Sequence, residues 1–408
     1  MDSYRFYLGA RAYTAVCWST IVTINLVFMV EVARLDPLQM VLVGTVLEAS
    51  VFLFEIPTGV VADAVSRKLS VVIGHALIGL GFLVIVLFPS FAMILVSQVI
   101  WGVGWTFVSG AYPAWLTEEI GVDRAARAFL RGSQLAHGAA LLGIGLCIAL
   151  AQVSLALPIV VGSVGYLVLA GAMIAFMRET NFRPVADSER ETWQVMARTV
   201  RSSVVQVRLQ PVLVLMLLIT IVVGMFSEGI DRLFTPYLIE SFAFPSLGTL
   251  KSVTWWGIIA AVSSVGGLAA TTLARRYADL DDHAGLTRVL AGCLLAISVS
   301  VLLLANVGGF ALVLGLFWLT NALRSAYDPL MTGWLNRLLP AESRATLFSM
   351  YGQADAVGQT FGGPVVGVIA KYVSIAFALG VSAISLLPSL PLYLKIFHRV
   401  NDKAQAIR

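Results

Sequence analysis

Runs of about 20 mostly apolar residues recur from one end of this chain to the other, each long enough to cross the hydrocarbon core of a bilayer as a single helix. We count twelve, at 8–32, 39–62, 69–88, 91–115, 132–152, 156–177, 211–239, 252–275, 286–306, 309–335, 345–370 and 374–397. Of the 408 residues, 59% are hydrophobic and 12% charged, about half the charged share of an ordinary soluble domain. The expected fold class is an all-α, multi-pass membrane protein with lipid around it. The first run begins near Leu8 without a short apolar core and cleavage site, so it is expected to stay as the first spanning helix.

The stretch from Arg178 to Gln210 is polar by contrast. Its Trp193, Val195, Met196, Val200, Val204 and Val207 recur at roughly helical spacing, which predicts an amphipathic helix on the membrane surface. Three parts follow: a six-helix bundle over 1–178, a cytoplasmic linker over 179–210, and a second six-helix bundle over 211–408. With a cytoplasmic N-terminus, only Arg34, Lys251 and Lys371 of the 27 bases fall in outer loops. Both termini are therefore expected inside. The formal charge of +4 reads as that topology signal, and no nucleic-acid partner is expected. Internal repetition points the same way. Gly59 precedes Arg67-Lys68 at the spacing with which Gly267 precedes Arg275-Arg276, and Thr271 stands where the first copy has Asp63. Two parallel repeats related by an axis along the membrane normal describe one common transporter architecture.

Cys17, Cys147 and Cys293 lie far apart inside apolar runs, and the four histidines (His75, His137, His283 and His398) are equally scattered. Neither a disulfide framework nor a metal site is expected. His-Glu-x-x-His, Gly-x-Ser-x-Gly and the phosphate-binding Gly-x-x-x-x-Gly-Lys-Ser/Thr are all missing from the sequence, so it is not read as an enzyme and no cofactor is expected.

Ionisable groups inside the spans are the functional candidates, because a charge in hydrocarbon is tolerated only beside water or a partner. The seventh span carries Glu228, Asp231 and Arg232. Three such charges cost about 7–10 kcal/mol on the insertion scale, and the eleven Val, Leu, Ile and Phe residues before Glu228 return about 3–6 kcal/mol. At 100° per residue the three share one arc, expected to face a wet cavity. The second span carries Glu48 and Glu55, seven apart on nearly one face; a carboxyl taken out of water binds its proton more readily, which suits proton uptake and release. In the tenth span Arg324 and Asp328 are spaced for an in-helix ion pair. Asp355 and Gln359 share a face of the eleventh. These eight charged residues are the candidates for proton coupling or recognition of substrate charge.

The segment Glu55-Ile56-Pro57-Thr58-Gly59-Val60-Val61-Ala62-Asp63-Ala64-Val65-Ser66-Arg67-Lys68 resembles the loop joining the second and third helices of the major facilitator superfamily. Gly59 is kept, and Ser66 stands where a second glycine is common. With Ser227-Glu228 to Arg232, Pro236, and Arg344-Ala345-Thr346, the chain looks like bacterial drug/proton antiporter-type efflux permeases. That resemblance implies twelve helices in two six-helix pseudo-repeats working by alternating access, and a conformational latch of Gly59, Asp63, Arg67 and Lys68. In it Asp63 would meet the start of the eleventh span, and Arg67 would pair with Glu118 or Glu119. It further implies a central cavity lined by spans 1, 4, 7 and 10, with substrate contacts from Trp18, Asn25, Trp101, Trp105, Phe226, Tyr237, Trp318, Asn321 and Tyr327. Two departures stand out. Gln98 precedes Gly102 by four where proton-coupled members often carry arginine, and the fifth span has Gly138, Gly143 and Gly145 but no proline. Proton coupling then falls to the acids of spans 2, 7, 10 and 11. The implied function is proton-coupled export of small amphipathic or cationic molecules, multidrug-type efflux, by a monomer in the bacterial inner membrane. The alternative is a proton symporter or facilitator for uptake of a nutrient or metabolite.

Overall fold

The computed structural model describes residues 2–182, 210–279, 282–338 and 344–406, and they are helical almost throughout. The helices are α1 (Ser3–Glu31), α2 (Pro37–Ala64), α3 (Arg67–Leu87), α4 (Phe91–Ser109), α5 (Ala111–Ile120), α6 (Val122–Ala151) and α7 (Ala156–Phe176), then α8 (Pro211–Ser241), α9 (Thr254–Tyr277), α10 (His283–Asn306), α11 (Phe310–Leu338), α12 (Arg344–Tyr372), α13 (Ile375–Ser385) and α14 (Ser389–Ala406). Among the described residues the only β-type pairing is an isolated bridge between Leu247 and Leu250. The surface linker helix expected within 179–210 lies, over 183–209, outside the described residues.

Local sequence sets the ends. Asp36 accepts from the Gln39 amide while Gln39 reaches back to the Asp36 N–H, closing a capping box with Pro37 in the first turn of α2. Ser66 and Ser374 cap α3 and α13. Gly121, at φ 81°, makes the reversal from α5 into α6. Helix α6 begins ten residues before the apolar run at 132, because Val122–Arg131 continues as helix beyond the greasy stretch.

Among the described residues eleven helical segments are long and apolar enough to span, with α4 and α5 joined as Phe91–Ile120 and α13 and α14 as Ile375–Arg399. The sequence predicts twelve. Helix α12 is the one left out: its 29 residues are ample, but Gln353, Asp355, Gln359 and glycines at 352, 358, 362 and 363 dilute its hydropathy. Large apolar side chains such as Leu130, Leu142, Ile174, Val265, Phe361 and Leu394 are over half exposed. A soluble protein does not present so much apolar surface; here the bilayer covers it.

Two compact units can be described. The first comprises α1, α2 apart from Met40–Thr45, α3–α7 and Phe244–Ala261. The second comprises Met40–Thr45, α8 and the chain from Val262 onward. Lipid gives helices no hydrophobic reason to associate, so small residues and buried hydroxyls do the joining. In the first unit a side chain at Gly143 would strike the Val16 carbonyl, and one at Gly162 would stand 2.8 Å from the Cys17 carbonyl. Thr20 adds a hydrogen bond to the Gly143 carbonyl at 3.1 Å. In the second unit α12 lies against α8 through Gly358 and Gly362, where added Cβ atoms would meet the Ile221 carbonyl and, at 2.7 Å, the Met225 Cα. Ser382 donates to the Phe226 carbonyl at 2.9 Å. Gly358→Val is therefore expected to destabilise the solubilised protein by about 1–3 kcal/mol through forced separation of α8 and α12; an unchanged melting temperature in detergent would refute that packing role.

Candidate functional site

The second unit concentrates charge in one place. Helices α8, α11 and α12, with α10 behind them, enclose a cavity of about 170 Å³ whose lining includes Phe226, Ser227, Asp231, Arg324, Tyr327, Asp328, Asp355 and Gln359. The in-helix partner expected for Arg324 is not the one it takes. Its Nη1 and Nη2 donate to the two oxygens of Asp231 at 2.6 and 2.7 Å, a two-pronged bridge from α11 to α8. The planar guanidinium suits that geometry, and it also lies over the Phe226 ring at 5.9 Å. Asp328, a turn further along α11, lines the same cavity.

The three charges of α8, expected on a single wet face, divide into two pairs. Asp231 goes to Arg324 and keeps about half its side chain exposed (49%), while Glu228 is 2% exposed and accepts from Arg232 Nε at 3.2 Å. The reason is the step along α8: Glu228 and Arg232 stack at i,i+4, and Asp231 points about 60° to one side of Glu228 and about 100° from Arg232. The Glu228 carboxylate occupies the space that a side chain at Gly44 would fill.

Asp355 accepts from Gln359 Nε2 at 2.7 Å, and its backbone carbonyl packs on Gly224. The cavity thus holds three carboxyl groups, Asp231, Asp328 and Asp355, against one guanidinium that Asp231 already binds. Within a membrane-spanning unit the other two must be hydrated, protonated or matched by a cation. That excess is the chemistry the cavity offers.

The expected aromatic contacts scatter. Phe226 and Tyr327 line the cavity, and the Tyr327 hydroxyl is anchored to that of Tyr393 at 2.8 Å. Tyr237 is buried and donates to the Leu304 carbonyl at 3.1 Å, away from the cavity. Trp318 and Asn321 are partly buried on α11 and outside its lining. In the first unit Trp18 gathers Phe82, Trp101 and Trp105 at ring separations of 5.9, 5.8 and 6.4 Å. Gln98, where an arginine is common in proton-coupled members, is buried and accepts from Trp101 Nε1 at 2.9 Å. Asn25 Oδ1 is buried without a partner. Glu55 accepts from Ser109 at 3.1 Å, and Glu48 is partly buried on α2.

At the end of α2 three of the residues expected to form a latch, Asp63, Arg67 and Glu118, come together. Arg67 reaches Asp63 Oδ1 at 3.2 Å and Glu118 Oε1 at 3.0 Å, so Glu118 is its acid rather than Glu119. Glu119 instead accepts from the Thr180 and Asn181 amides at 2.6 and 2.9 Å. Lys68 donates from Nζ to the Ile174 carbonyl at 2.9 Å. An added side chain at Gly59 would meet nothing within 4 Å, so local crowding does not demand glycine there. The residue missed from sequence is Glu179, which accepts from Ser66 Oγ at 2.6 Å and from the Lys68 N–H at 2.9 Å, fixing the start of α3. Its position just after the sixth span was the available signal, obscured by the polar stretch that follows. Among the described residues no cluster of His, Cys, Asp and Glu is arranged to hold a metal.

Residues 7–280 match the family model described as Major Facilitator Superfamily. The chain is 23% identical over 386 residues to an uncharacterized MFS-type transporter, YxaM, of Bacillus subtilis (strain 168), covering 91% of this chain and 90% of that one. Among solved structures it is similar to the nucleoside transporter NupG (TM-score 0.75, 14% identity, covering 97% of this chain and 99% of that one). It is also similar to a bacterial homolog of the human lysosomal transporter Spinster (TM-score 0.75, 12% identity, 97% and 96%), and to a POT family transporter in complex with 5-aminolevulinic acid (0.74, 11%, 96% and 95%). At those identities the structural likeness establishes the fold.

Proposed function

The chain belongs to the major facilitator superfamily, a membrane transporter and not an enzyme, and from that premise we propose that it exports small amphipathic or cationic molecules in exchange for protons by alternating access. The carboxyl excess in the second-unit cavity carries this reading. The Asp231–Arg324 bridge is the fixed part. Asp328 and Asp355 are the exchangeable part, able to hold a proton or face a cation but not both, which is the condition for antiport. Phe226 and Tyr327 supply apolar and cation–π surface for an amphipathic body. Arg67 with Asp63 and Glu118 forms the latch. We place the protein in a bacterial inner membrane as a monomer with both termini cytoplasmic. The distribution of its bases supports that orientation, and the linker over 179–210 joins its two six-helix halves.

The test is flux of a lipophilic cation in proteoliposomes. The double change Asp328→Asn with Asp355→Asn is expected to leave counterflow measurable while lowering ΔpH-driven accumulation by about tenfold or more, the range of an ordinary coupling free energy. Full ΔpH-driven accumulation in the double variant rejects the exchange site. A second reading, uptake of a nutrient or metabolite, draws support from the solved structures of like fold named as nucleoside and peptide transporters. Net inward movement of a labelled nutrient in intact cells would favour it over export.

A further inference from the structure

Helix α6 carries one nearly straight line of residues along its exposed surface. Arg124, Arg131, Gly138 and Gly145 follow at intervals of seven, and seven residues fall within about 20° of two full turns. Arg127, Leu135 and Leu142 share the same arc of about 80°. All of these positions are exposed, Leu135 at 48% and Leu142 at 71%. The neighbouring face is closed: Ala125, Ala128 and Gly132 are buried, and a side chain at Gly132 would stand 2.9 Å from the Tyr7 ring of α1.

The stripe changes character once, at the edge of the apolar run. Arg131 is the last residue before that run, and Arg127 and Arg124 lie about 6 and 10 Å further out along the helix. The headgroup layer on each side of a bilayer is about 5–8 Å thick, so the three arginines span its depth. Inward of Arg131 the same arc holds leucine and glycine as far as Gly145. Side chains added at Gly138 and Gly145 would meet nothing within 4 Å, which leaves a shallow furrow beside Leu135 and Leu142. From Arg131 to Gly145 is about 21 Å of helix, more than the roughly 15 Å of hydrocarbon in one leaflet.

Charge balance sets these arginines apart. Arg67, Arg232 and Arg324 are each met by a carboxylate, and Lys68 by the Ile174 carbonyl. Among the described residues no carboxylate lies within ion-pair distance of Arg124, Arg127 or Arg131. Asp123 precedes Arg127 by four, the spacing of an in-helix pair, yet the two are not joined. Arg131 is held by a hydroxyl instead: its Nη1 donates to Tyr4 of α1 at 3.0 Å. The tyrosine keeps its own O–H to donate elsewhere. A bias of bases toward the cytoplasm accounts for the sign of this cluster, but not for its register or its missing counter-charge.

We propose that this face of α6, with Tyr4, binds an anionic phospholipid of the cytoplasmic leaflet. The three guanidiniums and the Tyr4 hydroxyl take the headgroup phosphate, and an acyl chain lies in the furrow past Leu135 and Leu142. Gln134, exposed at the edge of the stripe one turn inside Arg131, stands at the depth of the ester carbonyls. A soluble anion would satisfy the arginines and leave the leucines uncovered; a lipid covers both. The inference concerns the first unit alone and holds whichever substrate is carried.

The test titrates the full chain in detergent micelles with phosphatidylglycerol or phosphatidylcholine of the same acyl chains and counts lipid-bound species by native mass spectrometry. Phosphatidylglycerol is expected to fill its first site at least about tenfold more tightly, and the preference should shrink as salt rises. Arg124→Gln, Arg127→Gln and Arg131→Gln together should abolish the preference. Arg131→Lys should keep most of it, and Tyr4→Phe should weaken it a few-fold. Gly138→Phe fills open space and keeps every charge, yet should weaken phosphatidylglycerol binding a few-fold by blocking the furrow. Arg275→Gln with Arg276→Gln removes two exposed bases of α9 and should leave the preference intact. Equal affinity for the two lipids, a triple variant that keeps the preference, or an α9 control that loses as much each overturns the site. Displacement of the lipid by millimolar inorganic phosphate would mark a free-anion site and overturn the lipid assignment. Should the triple variant not fold, Gly138→Phe and the lipid comparison on the unaltered protein decide.

Discussion

Arg324→Gln is expected to cost about 2–4 kcal/mol of stability, judged by the melting temperature of the detergent-solubilised protein. Removing one member of a buried ion pair costs about 3–5 kcal/mol because the other charge is stranded, and partial exposure of Asp231 reduces that figure. The residue left behind would be worse placed than most, sharing its cavity with Asp328 and Asp355. Adding Asp231→Asn should recover most of the loss, since the neutral pair strands nothing. A double variant as unstable as the single one would mean that Arg324 acts through packing on Phe226 rather than through charge. Transport should fail in the single variant whatever the substrate.

Arg67→Ala is the second. Arg67 is the base between Asp63 and Glu118, with Glu119 and Glu179 close by on the same end of the unit. Its loss leaves Asp63 and Glu118 facing each other without a counter-charge. The side chains are partly exposed, so folding stability should fall by only about 1–2 kcal/mol, between the values for exposed and buried pairs. Flux should fall further, by about tenfold or more, if the cluster biases a two-state equilibrium by an ordinary coupling energy. Arg67→Lys should retain most stability and part of the flux. Measured flux close to that of the unaltered protein would remove the latch from the transport cycle.

The helical, membrane-spanning architecture is plain in the sequence because it follows from the length of apolar runs, a property each run carries by itself. The structure pairs Arg67 with Glu118, one of the two acids the family resemblance implies, and also with Asp63 four residues before it, a contact the sequence reading does not give. What the sequence reading misses is pairing between distant segments. Arg324 and Asp328 have helical spacing, yet the guanidinium is taken by Asp231, 93 residues away. Glu179 lies just outside an apolar run, where composition alone assigns it to a polar connection, although it holds the start of α3. The arc shared by Glu228, Asp231 and Arg232 spans about 100°, wide enough to address two neighbours at once, so the shared face does not settle which partner each charge takes.

Helix α12 has a consequence for how the protein is made. Its glutamines, Asp355 and glycines leave it short of the apolarity by which the other segments qualify as spans, while Gly358 and Gly362 fit it against α8. A segment of that kind partitions poorly into lipid when it leaves the translocation channel alone. It would enter the bilayer in the company of an earlier helix, so α8 has to remain at hand during synthesis of the intervening 102 residues between Ser241 and Arg344. Biogenesis of the second unit is then a templated event, and lesions in α8 would show up first as incompletely threaded chains.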